Sequence, residues 1–349
     1  MLAGAALLLA LPAAEARSKR TAATPEQWEL TLEGGRKLTW ERSFQSEAEV
    51  NPNRGFWAKL VDVIAGAPDY HFMVRPYSVV TDSHGRVIVT DPGAGGVHIF
   101  DFAQRKYKFL KRSGKSKDSM RTPQCVAVDA EDNIYVTDSG SGEVFVFDAS
   151  GKYRRAIGSL KGGEGYFKRP TGIAVDSAAQ RIYITDTLRD QVFVLDMQGN
   201  VEATLGKTGQ EPGEFNLPTE LRLDGSSLLV VDAMNFRVQA FDRSGAFQST
   251  IGKLGDSAGA FFRPKAVGVD SEGHLYVVDA DWGMVQVFDR QGQLLYYFGE
   301  PGSHAGQFQL PSGLYIDHED RVFVVDSFNR RVQVFQYSGL KTAATGGMK

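Results

Sequence analysis

The stretch "RPTGIAVDSAAQRIYITDTLRDQVFVLDMQGNVEATLG", Arg169–Gly206, decides the fold, because near copies of it account for most of the chain. Pro76, Pro123, Pro170, Pro218, Pro264 and Pro311 recur at steps of 47, 47, 48, 46 and 47 residues. A fixed period of that length marks a repeat architecture. Two aspartate ladders keep the same step: Asp82, Asp129, Asp176, Asp224, Asp270 and Asp317, then Asp91, Asp138, Asp186, Asp232, Asp279 and Asp326.

Each copy offers four apolar runs. In the third they are Ile173–Val175, Ile182–Thr185, Val192–Leu195 and Val201–Leu205, rich in the branched and aromatic residues that suit pleated surfaces. Turn chemistry separates them, with "DSHG" and "DSEG" after the first run and "DRSG", "DRQG" and "DMQG" after the third. Four strands make one blade. Six blades arranged radially bury their faces against one another, so the predicted fold is all-β, a six-bladed β-propeller of four-stranded antiparallel blades over residues 67–342. Loops such as "GGEGYFKRP" and "SAGAFFRP" place an aromatic residue before each Pro, and Phe167, Phe215, Phe262 and Phe308 are expected to plug the seams between blades.

Upstream, the apolar run Leu2–Ala13 followed by Ala14-Glu15-Ala16 reads as a signal peptide over residues 1–16, implying a secreted or periplasmic protein without stable membrane insertion after cleavage. Residues 17–66 read as a linker, a hairpin around Gly34-Gly35 and a short amphipathic helix on Phe56, Trp57, Leu60, Val61 and Ile64, with a strand as its rival. The last repeat lacks a good fourth strand, so Lys37–Phe44 is expected to complete blade six. The only cysteine, Cys125, excludes an intrachain disulfide and reads as a small buried filler.

The run Phe308–Phe335, of the form F-x-x-P-x-G-x-x-V-D followed by V-V-D-S-x-N-x-R-V-Q-V-F, resembles the NHL repeat. With its leader segment the chain is similar to secreted bacterial six-bladed propellers of that kind. The resemblance implies binding through loop faces, and it spans adaptors, sensor ectodomains, RNA binders and a few enzymes, so it does not choose a function.

A single site on a repeat scaffold must use residues that break the repeat. Strand-end carboxylates that occur in every blade satisfy their own turns, so the Asp ladders are scaffold. Arg237 and Arg331 brace the blades. On the innermost strands, blade four places Glu220 and Arg222 where the others place small or neutral groups, apart from Tyr315. Glu220 and Arg222 recognise a polar ligand at the axis or satisfy each other. The loops between strands two and three contribute Arg189, Asp190, Met234, Phe236, Trp282, Phe328 and Arg330, the aromatic and Arg composition of protein-binding hot spots.

No residue is assigned a catalytic role or a metal, and no cofactor is expected. The histidines are scattered among different turns, without the zinc triad of a peptidyl-amidoglycolate lyase. The formal charge of −3 gives no general pull toward nucleic acid, and the basic cluster Lys111–Arg121 lacks interleaved aromatics to stack on bases. The expected function is a non-catalytic scaffold binding a protein or peptide partner in the cell envelope. The alternative is a metal-dependent lactonase- or lyase-type propeller enzyme with its site at the channel axis, near Glu220.

Overall fold

The computed structural model describes residues 28–50, 71–111, 120–159 and 165–339. The leader, the helix expected after Asn53 and most of the basic cluster lie outside them. Within the described residues the chain forms six antiparallel sheets, five of four strands and one of five. This is the six-bladed propeller that the period implies.

Blade three shows the local logic. Its strands are Pro170–Asp176, Arg181–Asp186, Gln191–Asp196 and Val201–Leu205, numbered outward from the axis. Second strands are apolar on both faces because each blade packs a neighbour on either side, and Val87–Asp91 in blade one is buried throughout. Fourth strands face solvent on one side, as the alternating exposure of Lys106–Leu110 shows. The cores therefore sit between blades: one joins Cys125, Tyr135 and Val144 of blade two to Ile173, Ile182 and Phe193 of blade three.

The seams are plugged by aromatics, with one correction of register. Phe167, Phe215 and Phe308 are buried as expected, but Phe262 is 53% exposed and Phe261 takes the seam. Phe261 stands three residues before its Pro, as the other three do, whereas Phe262 stands two before. The plug also explains the glycine closing the fourth strand in blades two to five, Gly158, Gly206, Gly252 and Gly299. At Gly206 (φ 80°) and Gly252 (φ 88°) a Cβ would lie 2.2 and 2.1 Å from the rings of Phe215 and Phe261. Both the left-handed backbone and the space require glycine there.

Closure uses the amino-terminal segment. Lys37–Phe44 pairs antiparallel with Arg331–Ser338, from Lys37 opposite Ser338 to Phe44 opposite Val332, and Glu29–Thr31 adds a fifth strand outside it. Trp40 Nε1 donates to Gln333 Oε1 at 3.1 Å, and Trp28 packs edge-on against Phe335 at 5.3 Å. The last strand thus gains an ordered neighbour on what would otherwise be an open edge.

Candidate binding face at the channel mouth

The innermost strands start on the face where the second strands end, so Pro170 lies opposite Asp186 and Pro218 opposite Asp232. In blades two to six, backbone bonds stitch the strand two to three loop to the residues leading into its Pro. Thr187 N donates to Arg169 O, Met234 N to Asn216 O, Ala280 N to Arg263 O and Phe328 N to Gln309 O, all at 3.0–3.1 Å. Two sets of loops therefore make one face around the mouth.

The second Asp ladder holds this face together. Asp186 accepts from the backbone of Lys168 and Arg169, both at 2.9 Å, and Asp279 from Phe262 and Arg263 at 2.7 and 3.1 Å. Arg237 and Arg331 donate to Asp232 and Asp326 at 2.8 Å, bracing blades four and six. The inner ladder caps the opposite turns, as where Asp82 accepts from His84 N and Arg86 N at 3.0 Å. On that opposite face Asp82, His84 and Asp132 bring ligand atoms within 4.8 Å of one another. Their oxygens are already engaged by Arg86, Ser83, His84 and turn backbone. The same latch recurs without histidine as Ser271 on Asp320, so it joins neighbouring blades.

The residues singled out on the mouth face divide into two kinds. Arg189 folds back on Asp186 at 2.9 Å, with its guanidinium 5.1 Å from the Tyr166 ring centroid. Asp190 accepts from Thr208 Oγ1 and Leu217 N, both at 2.7 Å, and Phe236 packs on the core between blades four and five. These three act within the scaffold. Trp282, Phe328 and Arg330 face outward. Trp282 lines a cleft of about 150 Å³ with Asp256, Ala260, Met284 and Tyr297, and Phe328 is half exposed with Arg75 5.7 Å above its ring. Arg330 is exposed, in the left-handed region at φ 57°.

At the axis, Glu220 is buried and Arg222 Nη2 donates to its Oε1 at 2.9 Å. The same nitrogen donates to Leu314 O at 2.9 Å, two blades away, and the guanidinium stands 5.1 Å from the Tyr315 ring centroid. Arg222 thus bridges the channel from blade four to blade six. Burial pushes the Glu220 carboxyl up to about 8, outweighing the pull of Arg222 in the other direction. Cys125 is buried and its thiol is raised, first by burial and then by Glu220, so it is no thiolate nucleophile.

Some residues of this face escaped the sequence reading. Arg75, Arg169 and Arg263 each precede the Pro of an odd-numbered blade, where blades two, four and six carry Thr122, Leu217 and Leu310. Lys265 follows its Pro and is half-buried; burial, then Arg263 and Arg169, push its ammonium down to about 8. The legible signal was the "RP" dipeptide in alternate blades. Large apolar side chains join these cations: Val74, Leu188, Leu217 and Met234 are exposed on the same loops, as are Phe262 and Phe328.

The family model DUF5128, described as a 6-bladed beta-propeller, matches residues 117–182 and again 174–238. No curated protein matches the chain. Among solved structures, the chain is similar to a gluconolactonase from Xanthomonas campestris, at 17% identity and a TM-score of 0.59, over 88% of this chain and 92% of that one. It is similar to virginiamycin B lyase from Staphylococcus aureus at 12% identity and a TM-score of 0.53, over 75% and 94% of the two chains. An auxiliary nutrient binding protein from Bacteroides thetaiotaomicron gives 13% identity and a TM-score of 0.59, over 76% and 70%. At these identities the likeness carries the fold and no activity.

Proposed function

We propose that the chain is a secreted or periplasmic, non-catalytic propeller that binds a protein or peptide of the cell envelope through its mouth face. The observation that supports this reading is the gathering of exposed apolar and aromatic side chains on one face, Leu188, Met234, Phe262, Trp282 and Phe328 among them, beside Arg75 and Arg330. Exposed apolar groups gathered together mark interaction surfaces, and Trp and Arg dominate the energetics of such surfaces. The loops are bound to buried aspartates, so the groups stand on an ordered frame and little entropy is lost on docking.

A lactonase- or lyase-type reaction at the axis is the second reading, and Glu220 is the carboxylate it would use. Metal-assisted chemistry asks for several oxygen or nitrogen ligands converging on one point. The positions equivalent to Glu220 in the other blades are Ser78, Cys125, Gly172, Ala266 and Gly313, and the Glu220 carboxyl already accepts from Arg222.

The test is capture of partners from the native envelope fraction by the full chain and by a Trp282→Ala, Phe328→Ala variant. The variant is expected to fold with a stability change under about 1 kcal/mol, since both side chains are surface groups. It is expected to lose the captured partners by at least about tenfold. Unchanged capture removes the reading.

A further inference from the structure

The outer edges of the blades are protected unevenly. Blades one to five each end in a fourth strand that, among the described residues, pairs on one side only. Such a strand offers a row of unpaired N–H and C=O groups to any chain that lies against it, and charged or polar side chains discourage the addition. Blade one exposes Lys106 and Lys108 there, blade two Arg154, blade three Glu202 beside Val201, and blade four only the polar run Gln248–Thr250. Blade five departs from this pattern. Its edge, Leu294–Phe298, exposes Leu295 at 46% and Tyr297 at 53%, and no charge.

A groove follows that edge over the height of the blade. At the rim end it is the cleft of about 150 Å³ beside Trp282, and beyond Tyr297, which lines both parts, it widens to about 360 Å³ between the edge and Leu30 and Leu32 of the amino-terminal hairpin. The groove is apolar in the middle and acidic at its ends. Asp256 lines the rim end and Glu33 the other; both are exposed, and neither belongs to an ion pair among the described residues. The two bases that line it are already engaged, Arg36 with Glu272 at 3.1 Å and His274 with Asp270 at 2.8 Å. The neighbouring blade shows that the circumference accepts a further strand, since Glu29–Thr31 adds outside Lys37–Phe44.

Resting on the binding reading above, we infer that the partner is an extended peptide segment that adds to blade five as a fifth strand. Its backbone pairs with Leu294–Phe298, its alternate apolar side chains fill the groove, and its basic ends lie beside Asp256 and Glu33. In such additions main-chain hydrogen bonds supply affinity, and pockets for alternate side chains supply selection. Five strand residues at about 3.4 Å each span about 17 Å, which sets the length of the paired segment. A second copy of the chain is disfavoured as the occupant, because antiparallel pairing of two such edges brings the Asp256 end of one against the Glu33 end of the other.

The experiment uses the full chain and fluorescent octapeptides read by anisotropy. The parent peptide alternates threonine with valine or phenylalanine between terminal lysines. A second is the parent N-methylated at three consecutive central residues, which blocks both of its edges, and a third has glutamate in place of the lysines. The parent is expected to bind below millimolar concentration, and the N-methylated peptide about tenfold or more weakly. The glutamate peptide is expected to bind about threefold or more weakly, with a difference that shrinks in salt. Amide hydrogen exchange at residues 294–298 should slow on addition of the parent and stay unchanged at residues 247–251 of blade four. Leu295→Gln, Tyr297→Thr, which gives blade five the residues of the blade four edge, should bind the parent about tenfold or more weakly.

Equal binding of the N-methylated or the glutamate peptide, unchanged exchange at residues 294–298, no binding below millimolar concentration, or a dimer of the full chain that Leu295→Gln, Tyr297→Thr dissociates would each overturn the inference. The two readings fail separately. Envelope partners lost by the Trp282→Ala, Phe328→Ala variant but kept by Leu295→Gln, Tyr297→Thr leave the rim standing and remove the edge. Partners kept by the first variant and lost by the second, with the peptide results as expected, remove the rim and leave the edge.

Discussion

The ring has two halves built on one repeat but fastened differently. In blades one to three the residue before the second-ladder Asp is Thr90, Thr137 or Thr185. Its hydroxyl donates to the innermost strand of the next blade, to Gln124 O, to Thr171 O at 2.5 Å and to Thr219 O at 2.6 Å. In blades four to six the position holds Val231, Val278 and Val325, all fully buried. The third strands show the reverse. Blades four to six bury Gln239, Gln286 and Gln333 where the first three have His98, Phe145 and Phe193.

Each Gln clamps the loop entering its own blade. Gln239 accepts from Gly213 N at 2.9 Å and donates to Glu214 O at 2.8 Å, and Gln286 does the same with Gly259 N and Ala260 O, both at 2.8 Å. Gln333 takes Gly306 N at 3.1 Å and Gln307 O at 2.6 Å. The first half thus places its extra hydrogen bonds at the axis, and the second half places them under the rim. Trp282 and Phe328 stand over the clamped loops. A binding face needs rigid loops more than a rigid axis.

The largest expected effect is one the halves share. Phe167 lies in the first half and Phe308 in the second, and both rings fill a seam between blades. Phe308→Ala and Phe167→Ala should each cost about 3–5 kcal/mol, the range for a buried Phe truncated to Ala. Equilibrium denaturation of both variants checks it. A cost at Phe167 well below that at Phe308 would mean that the seams, and not only their fastenings, differ.

Next in size are the fastenings. Gln286→Leu leaves Gly259 N and Ala260 O without their side-chain partner under the rim, at about 1–3 kcal/mol. Thr185→Val gives blade three the residue that the other half uses, and should cost about 1 kcal/mol for the lost bond to Thr219 O. The sharper distinction is local: amide hydrogen exchange at residues 253–261 should rise in Gln286→Leu and stay unchanged in Thr185→Val. Equal exchange in the two variants would dissolve the difference between the halves.

The fold was legible because two signals agreed, the period of the Pro and Asp ladders and the four apolar runs within it. Closure was legible because the last repeat lacked a fourth strand that Lys37–Phe44 could supply. The seam was misread at one blade because "AFFRP" offers two adjacent aromatics, and only spacing from the Pro, three residues as in "FNLP" and "FQLP", selects Phe261. The site was legible in part. Glu220 and Arg222 broke a visible pattern, whereas Arg189 and Phe236 broke it equally and fold into the scaffold, since pattern alone does not say which way a side chain turns. Arg169 and Lys265 escaped because they sit at different offsets in different blades, and only the closed ring brings them to one mouth.

The smallest effect concerns stability and tests the mouth against the ordinary surface. Burial, with Arg263 and Arg169 added, lowers Lys265 to about 8, while Asp281 and Cys125 pull the other way. In the unfolded chain a lysine titrates near 10.4. A base with a depressed folded value contributes stability at pH above its unfolded value and loses it as pH falls through its folded value. The native protein should therefore lose stability relative to Lys265→Met between pH 10.5 and 8, and below pH 7 the variant should be the more stable, on the order of 1 kcal/mol after solvent screening. Glu220, raised to about 8, titrates in both proteins and cancels in the difference. Thermal unfolding of the two proteins at pH 6.5 and pH 10.5 measures it. A variant that is less stable at pH 6.5 would show that Lys265 already has its partner within the chain; a variant that is more stable would show a charge kept at the mouth at the expense of the fold, as expected where a binding site needs it.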